Sequence, residues 1–167
     1  MLESELELGQ RGPSRVPVVV VRVASGPARI AVAGHSDGAI AALSVAYDRR
    51  YRDRRVDAAV IMSGATLPRF AAPQAAAPPL LAVQGTTDPL NQPAVTAAYF
   101  RLMPRPKFLL WLLGASHLPP YASDDRWAAV VDLTTTAFLD HYLRGAPLRR
   151  LIEAGTHRGV SHLDSQP

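Results

Sequence analysis

The chain has 167 residues, of which 48% are apolar and 19% are charged, and it contains no cysteine. These values are typical of one compact domain, and they exclude wholesale disorder, a disulfide framework and a thiolate zinc site. No apolar run approaches the length of about 20 residues that a membrane-spanning helix needs. The start of the chain alternates acidic residues with leucine and lacks the pattern of a signal peptide, so we expect a cytoplasmic location.

The formal net charge is +4, and 17 of the 18 basic residues are arginine. The densest charged run, residues 48–55, includes two aspartates among its arginines, and its one aromatic residue is Tyr51. Such a run is typical of a solvated helix end, where arginine complements the helix dipole, rather than of a nucleic-acid contact. We therefore expect neither nucleic acid nor a membrane among the partners.

Apolar runs and helical patterns alternate along the chain after residue 28. The short apolar runs predict strands at 29–33, 56–62, 80–84 and 107–113. The longer patterns between and after them predict helices at 37–49, 93–103 and 125–143. Strands that are apolar throughout and separated by helices are typical of a parallel sheet covered on both faces, so the predicted class is α/β.

Three segments lie outside this alternation. Residues 64–79 carry four prolines and no periodicity, which predicts a loop that either borders a functional site or is a plain connector. The otherwise unassigned segment 1–27 contains a valine run at 18–23 that could form a strand. The tail, 146–167, has one short helical pattern at 148–153, after which we expect the chain to fray. The main domain is therefore assigned to residues 28–145.

The motif Gly34-His35-Ser36-Asp37-Gly38 stands between a predicted strand and a predicted helix. This is the context that a G-x-S-x-G nucleophile elbow requires. A sharp turn from strand to helix holds the serine in a strained conformation, and the two glycines let the backbones approach closely. The serine oxygen then projects above the sheet edge, while the N–H of Asp37 at the helix start can donate to an oxyanion.

A serine hydroxyl needs a base, and the base needs an orienting carboxylate; in this kind of fold they follow the serine in the order acid, then histidine. Asp88 lies four residues after the predicted strand 80–84, and His117 lies four residues after the strand 107–113. The carboxyl ends of parallel strands share one edge of the sheet. The spacing therefore predicts that Ser36, Asp88 and His117 meet there.

The other polar candidates have simpler explanations. His35 would point into the fold and is predicted to pack there, and Asp57 precedes its strand, which places it at the opposite end of the sheet. The remaining residues are predicted to lie on the surface, in the tail or at helix starts: His141, His157, His162, Asn91, Asp124 and Asp125. The sequence predicts no metal site. Lys107 follows no glycine-rich loop, so a phosphate-binding loop is excluded.

From residue 28 to about residue 143 the chain resembles the C-terminal half of α/β-hydrolases, in particular bacterial esterases of the chlorophyllase-like, dienelactone-hydrolase-like and polyester-hydrolase-like branch. The segments that carry the resemblance are RIAVAGHSDGA, VDAAVIMSGA, PLLAVQGTTDPL and GASH. The resemblance implies Ser36 as nucleophile, Asp88 as acid, His117 as base and the N–H of Asp37 as one oxyanion donor. Because dienelactone hydrolases proper use cysteine, the serine favours the esterase members.

The chain departs from this family before the elbow. Family members carry several strands and helices there, including a loop that supplies a second oxyanion donor. Only 35 residues precede Ser36 in this sequence, and none resembles that region, so we expect a partial fold that lacks the N-terminal strands. No residue is identified as the second donor. We therefore expect slower turnover than in a version extended upstream, since one donor contributes roughly 10²–10³ in rate.

The predicted function is hydrolysis of a small-molecule carboxylic ester through an acyl-enzyme, without a cofactor. Apolar residues beside the site favour an apolar acyl or alcohol group: Phe70, Leu118, Pro119, Pro120 and Tyr121. One alternative is a peptidase or thioesterase with the same triad. The other is a catalytically impaired remnant that acts as a binding or interaction module.

The strand that ends at Ala33 would be left with an open edge if nothing preceded it. Residues 18–23 are the available cover, and the link to residue 28 is too short for a parallel crossover of about a dozen residues. The valine run is therefore predicted to pair as an antiparallel hairpin. Because an uncharged edge strand is a template for further pairing, we expect the chain to self-associate through this edge.

Overall fold

The computed structural model describes residues 18–22, 29–73, 76–122 and 126–167, which form one mixed sheet and five helices. The strands are β1 (Val18–Arg22), β2 (Ile30–His35), β3 (Val56–Met62), β4 (Leu80–Gly85), β5 (Lys107–Leu112) and β6 (Ser161–Gln166). The helices are α1 (Asp37–Tyr47), α2 (Pro93–Leu102), α3 (Pro119–Ala122), α4 (Arg126–Arg144) and α5 (Arg149–Gly155).

The order of the strands in the sheet is the same as their order in the chain. β2, β3, β4 and β5 are parallel, and β1 and β6 are antiparallel strands at the two edges. β3, β4 and β5 are mostly buried, as expected of strands that are covered on both faces, whereas three of the six residues of β2 are only partly buried. The predicted α/β class is confirmed, and the four predicted central strands agree with the structure to within two residues.

Each face of the sheet carries its own hydrophobic core. On one face, α1 and α2 pack over the strands, and Leu43 and Tyr47 are fully buried there. On the other face, α4 and α5 cover the strands, and Phe138 of α4 lies edge-on to Phe108 of β5 with ring centroids 6.2 Å apart. The rigid sheet between the two cores fixes the strand ends at which the candidate site lies.

The valine run forms the predicted antiparallel strand. In the β1–β2 ladder Val20 pairs with Val32 and Arg22 with Ile30, so β1 and not β2 is the outermost of the described strands on this side. Among the described residues, no helix is both long and apolar enough to cross a membrane.

Two predictions about local structure are wrong. The chain does not fray after the tail helix: residues 161–166 form β6, which pairs with β5 along its whole length. The sequence SHLDSQ has one large apolar residue, Leu163, so the strand depends on pairing and not on propensity. Asn91 does not cap α2, because the N-cap is Gln92 and the Asn91 side chain bonds elsewhere. The predicted caps Asp124 and Asp125 lie outside the described residues.

Candidate active site

The turn between β2 and α1 holds Ser36 in a rare backbone conformation. Its φ of 56° and ψ of −121° lie outside the regions that residues with a side chain normally adopt. Such strain costs on the order of 1–3 kcal/mol and persists only where the surroundings enforce it. Here the N–H of Ser36 donates to the carbonyl of Met62 at 3.0 Å, which ties the turn to the end of β3.

Close contact of the two motif glycines makes this turn feasible. A Cβ atom on Gly34 would lie 2.2 Å from the carbonyl oxygen of Gly38. The contact is with backbone, so it cannot be relieved by rotating a side chain. The first glycine of the motif is therefore required for the sharp passage from strand to helix.

Ser36, His117 and Asp88 form a continuous chain of hydrogen bonds. The Oγ of Ser36 lies 3.0 Å from Nε2 of His117, and Nδ1 of His117 lies 2.8 Å from Oδ2 of Asp88. Asp88 is 3% exposed and His117 is 9% exposed. The structure thus brings the three predicted residues together at the carboxyl ends of β2, β4 and β5.

Hydrogen bonds compensate the burial of the Asp88 carboxylate. Its Oδ1 accepts the backbone N–H groups of Leu90 and Asn91, each at 2.9 Å. Burial opposes ionisation, but the bonds from Asn91, His117, Leu90 and Ser63 outweigh it, so the pKa of Asp88 lies below its ordinary value. The carboxylate is consequently ionised near neutral pH and can orient the His117 ring.

The loops that carry the acid and the histidine are packed against each other. The N–H and the hydroxyl of Thr87 both donate to the carbonyl of Ala115 at 3.0 Å. A Cβ atom on Gly85 would lie 2.5 Å from that same oxygen. This close approach explains how two residues 29 positions apart reach hydrogen-bond distance.

Three residues near the site have contacts that sequence analysis missed. His35 packs against the rings of His117 and Tyr121, as predicted for a packing residue, but its Nε2–H also donates to the carbonyl of His117 at 2.9 Å. Burial lowers the pKa of His35, so the ring is neutral near pH 7.

The hydroxyls of Ser63 and Tyr121 are 3.2 Å apart. The position of Ser63 directly after β3, at the same sheet edge as Asp88, is the signal that could have identified it.

The backbone N–H of Asp37 occupies the first position of α1. The first four N–H groups of a helix have no partner within the helix, and the helix dipole gives them partial positive charge. The N–H lies next in sequence to the Ser36 hydroxyl. This makes it a candidate donor to an oxyanion formed at Ser36.

A cavity of about 970 Å³ opens beside the site. The carboxyl ends of β2 and β3, the residues around α3 and one face of α4 line it, among them His35, Met62, Leu118, Pro120, Tyr121 and Val131. The wall is mixed in polarity: apolar side chains such as Met62 and Val131 alternate with polar groups that include His35, Asp132 and Thr135.

Two of the competing polar residues, Asp57 and His157, make their hydrogen bonds outside the Ser36–His117–Asp88 chain. The Oδ2 atom of Asp57 accepts the N–H of Ile30 at the start of β2, which is the opposite end of the sheet, as predicted. His157 bonds the carbonyl of Ala154. In the part of the chain that the structure describes, no three His, Asp or Glu side chains are arranged to hold a metal ion.

Neither a protein-family model nor a curated protein matches this chain. The chemistry of the site is therefore read from its geometry. A neutral imidazole within hydrogen-bond distance of a serine hydroxyl can accept its proton, and a carboxylate on the far ring nitrogen stabilises the imidazolium that forms.

Proposed function

We propose that the chain is a serine hydrolase of the α/β-hydrolase class that cleaves carboxylic esters through an acyl-enzyme. The proposal rests on one observation, the unbroken hydrogen-bond chain from Ser36 through His117 to Asp88. The strained elbow at Ser36 supports it, because such strain is concentrated at functional sites. No cofactor takes part in the proposed reaction.

In the first half of the reaction, the Oγ of Ser36 attacks the ester carbonyl carbon while Nε2 of His117 accepts the hydroxyl proton. The carbonyl electron pair moves onto oxygen, and the N–H of Asp37 donates to the resulting oxyanion. The intermediate collapses with cleavage of the bond to the alkoxide, which takes the proton from His117 and leaves as an alcohol. Asp88 keeps the proton-bearing Nδ1 of the ring directed away from Ser36.

In the second half, His117 removes a proton from water, and the resulting hydroxide attacks the acyl carbon on Ser36. Collapse of the second intermediate breaks the bond to Oγ, which regains its proton from His117. One ester and one water thus give one carboxylic acid and one alcohol, and the enzyme returns to its starting state.

The surroundings of Ser36 favour an ester with an apolar acyl or alcohol group. Leu118, adjacent to the proposed base, is 57% exposed and lines the cavity beside the site. The cavity beside the site adds further apolar side chains, among them Met62, Pro120 and Val131. Such surfaces bind uncharged apolar groups by removing them from water.

Hydrolysis of a short-chain p-nitrophenyl ester tests the proposal. Replacing Ser36 with alanine is expected to remove nearly all turnover, because triad residues act as a unit worth on the order of 10⁶ in kcat. Ser44→Ala is the matched control: that hydroxyl bonds the carbonyl of Ile40 within α1, away from the site. Full turnover in Ser36→Ala, or none in the unaltered chain, would contradict the proposal.

A further inference from the structure

Asp88 is carried by the acid loop, residues 85–91, which begins with the last residue of β4. The side chain of Gln84 lies directly before this loop and is completely buried. A buried primary amide is stable only when its donors and its acceptor are paired. The partners of Gln84 all belong to the acid loop or to α2.

The amide nitrogen of Gln84 joins the two ends of the acid loop. Nε2 donates to the carbonyl of Gly85 at 3.0 Å and to the carbonyl of Asn91 at 2.9 Å. It also lies 3.3 Å from Oδ2 of Asp88, the oxygen that accepts Nδ1–H of His117. Because all three partners can only accept, the orientation of the amide is determined.

The amide oxygen of Gln84 is held by two donors from outside β4. The hydroxyl of Thr96 in α2 donates to Oε1 at 2.6 Å, and Nδ2 of Asn91 donates to it at 3.0 Å. Nδ2 of Asn91 also donates to the carbonyl of Gly64 at 3.0 Å. The side chains of Gln84 and Asn91 together therefore link the acid loop, α2 and the connection that follows β3.

We propose that Gln84 is a positioning residue, which clamps the acid loop and holds Oδ2 of Asp88 toward His117. This role needs donors at Nε2 and an acceptor at Oε1, so it requires an amide and not merely a side chain of the right volume. Its consequence for turnover rests on the function proposed above. Its consequence for the Asp88–His117 hydrogen bond does not depend on any substrate.

Gln84→Met tests this role, because methionine keeps the length of the side chain and removes its polar atoms. We expect kcat to fall about 10²-fold with KM changed by less than about twofold, since displacement of a catalytic group by about 1 Å has an effect of that size. The far-downfield proton NMR resonance of His117 Nδ1–H provides a readout that needs no substrate. It should be lost, or exchange much faster with solvent, in Gln84→Met.

Thr134→Val is the matched control. It removes a buried polar group far from the acid loop, the Thr134 hydroxyl, which donates to the carbonyl of Ala154 between α4 and α5. This variant should lower Tm without changing the resonance or kcat. Thr96→Val provides a milder perturbation should Gln84→Met not fold. It deletes the donor at 2.6 Å from Oε1 and is expected to accelerate exchange of the same proton, with a smaller loss of kcat.

The outcomes separate this inference from the proposed function. If the unaltered chain shows the resonance, a Gln84 or Thr96 variant weakens it, and no ester is hydrolysed, the positioning role stands and the proposed function is wrong. A folded Gln84→Met protein that keeps both the resonance and its exchange rate overturns the inference. If Gln84→Met is unfolded, a Thr96→Val protein that keeps both the resonance and its exchange rate overturns the inference. Absence of the resonance from the unaltered chain also overturns it.

Discussion

The conformation of Ser36 depends on the absence of a side chain two residues before it. Its φ of 56° is held by the bond to Met62 and by the contact between the backbones of Gly34 and Gly38. A methyl group at residue 34 would meet a carbonyl oxygen that belongs to the first turn of α1. Relief of this contact must move either β2 or the helix, and with it the Oγ atom.

Gly34→Ala is therefore expected to lower the free energy of unfolding by more than about 3 kcal/mol and to abolish ester hydrolysis. Gly145→Ala is the control, because Gly145 has a φ of +76° but nothing within 4 Å of an added Cβ. That substitution should cost only about 1 kcal/mol of conformational strain and leave kcat intact. Urea unfolding and an esterase assay measure both effects. Equal losses of stability in the two variants would contradict the importance of the backbone contact.

The sequence predicts those site residues whose positions follow from the ends of strands. Ser36, Asp88 and His117 each follow a strand of the parallel part of the sheet, so topology alone places them on one edge. Ser63 directly follows β3 and could have been placed at this edge by the same reasoning, whereas Gln84 lies within β4 and could not. The side chain of Gln84 bonds the acid loop and α2, and a single sequence carries no periodic signal for such contacts.

Among the helices, the end of α1 is stabilised by more than the solvated charges that its sequence suggests. Asp48 follows the helix and is completely buried, and its carboxylate accepts the guanidinium of Arg50 at 2.6 Å. The hydrogen bonds from Arg50 lower the pKa of Asp48 against the opposing effect of burial. The interpretation of residues 48–55 as a solvated helix end holds for the exposed arginines 49 and 50 but not for Asp48.

This lowered pKa predicts how stability depends on pH. The unfolded chain binds the Asp48 proton at about pH 3.9, and the folded chain binds it only at lower pH, so the stabilisation is present above about pH 4 and is lost as pH falls through the folded-state pKa. Asp48→Asn should therefore have a lower Tm than the unaltered chain at neutral pH, and the gap should narrow in acid. Calorimetry from about pH 7 down to about pH 2 measures this. A gap that stays constant over the whole range would contradict it.

β6 is a strand that the hydrophobic pattern of the sequence does not predict. The central strands are recognised because they are apolar on both faces, whereas β6 presents one buried leucine among polar residues. Leu163 packs against Gly155, where an added Cβ would come within 2.9 Å of it. Trp111 of β5 donates to Asp164 at 2.9 Å. The strand that pairs with β6, including Trp111, is distant in sequence, so a local pattern could not reveal β6.

For the molecule as a whole, the two edges of the sheet are where its backbone could pair with another copy of the chain. β6 contains Asp164, and a charged residue on an edge strand discourages further pairing. β1 has the sequence VVVVR, and among the described strands it pairs only with β2. We propose that copies of the chain associate through β1.

Light scattering at several protein concentrations tests this association. The mean mass should rise with concentration in the unaltered chain, and Val20→Lys should reduce the rise, because a lysine on an edge strand opposes pairing of backbones. Val95→Lys is the control, since Val95 is an exposed residue of α2, away from β1. A monodisperse monomer at all concentrations, or equal effects of the two lysine variants, would contradict association through this edge.

Covalent labelling tests the assignment of Ser36 as the nucleophile most directly. A fluorophosphonate reacts with a serine that a neighbouring histidine activates, and it does so without the need for the right ester substrate. The predicted result is one phosphonyl group per chain, located on Ser36 by peptide mass spectrometry and absent from Ser36→Ala. Labelling of another serine, or no labelling of the folded chain, would contradict the role of Ser36.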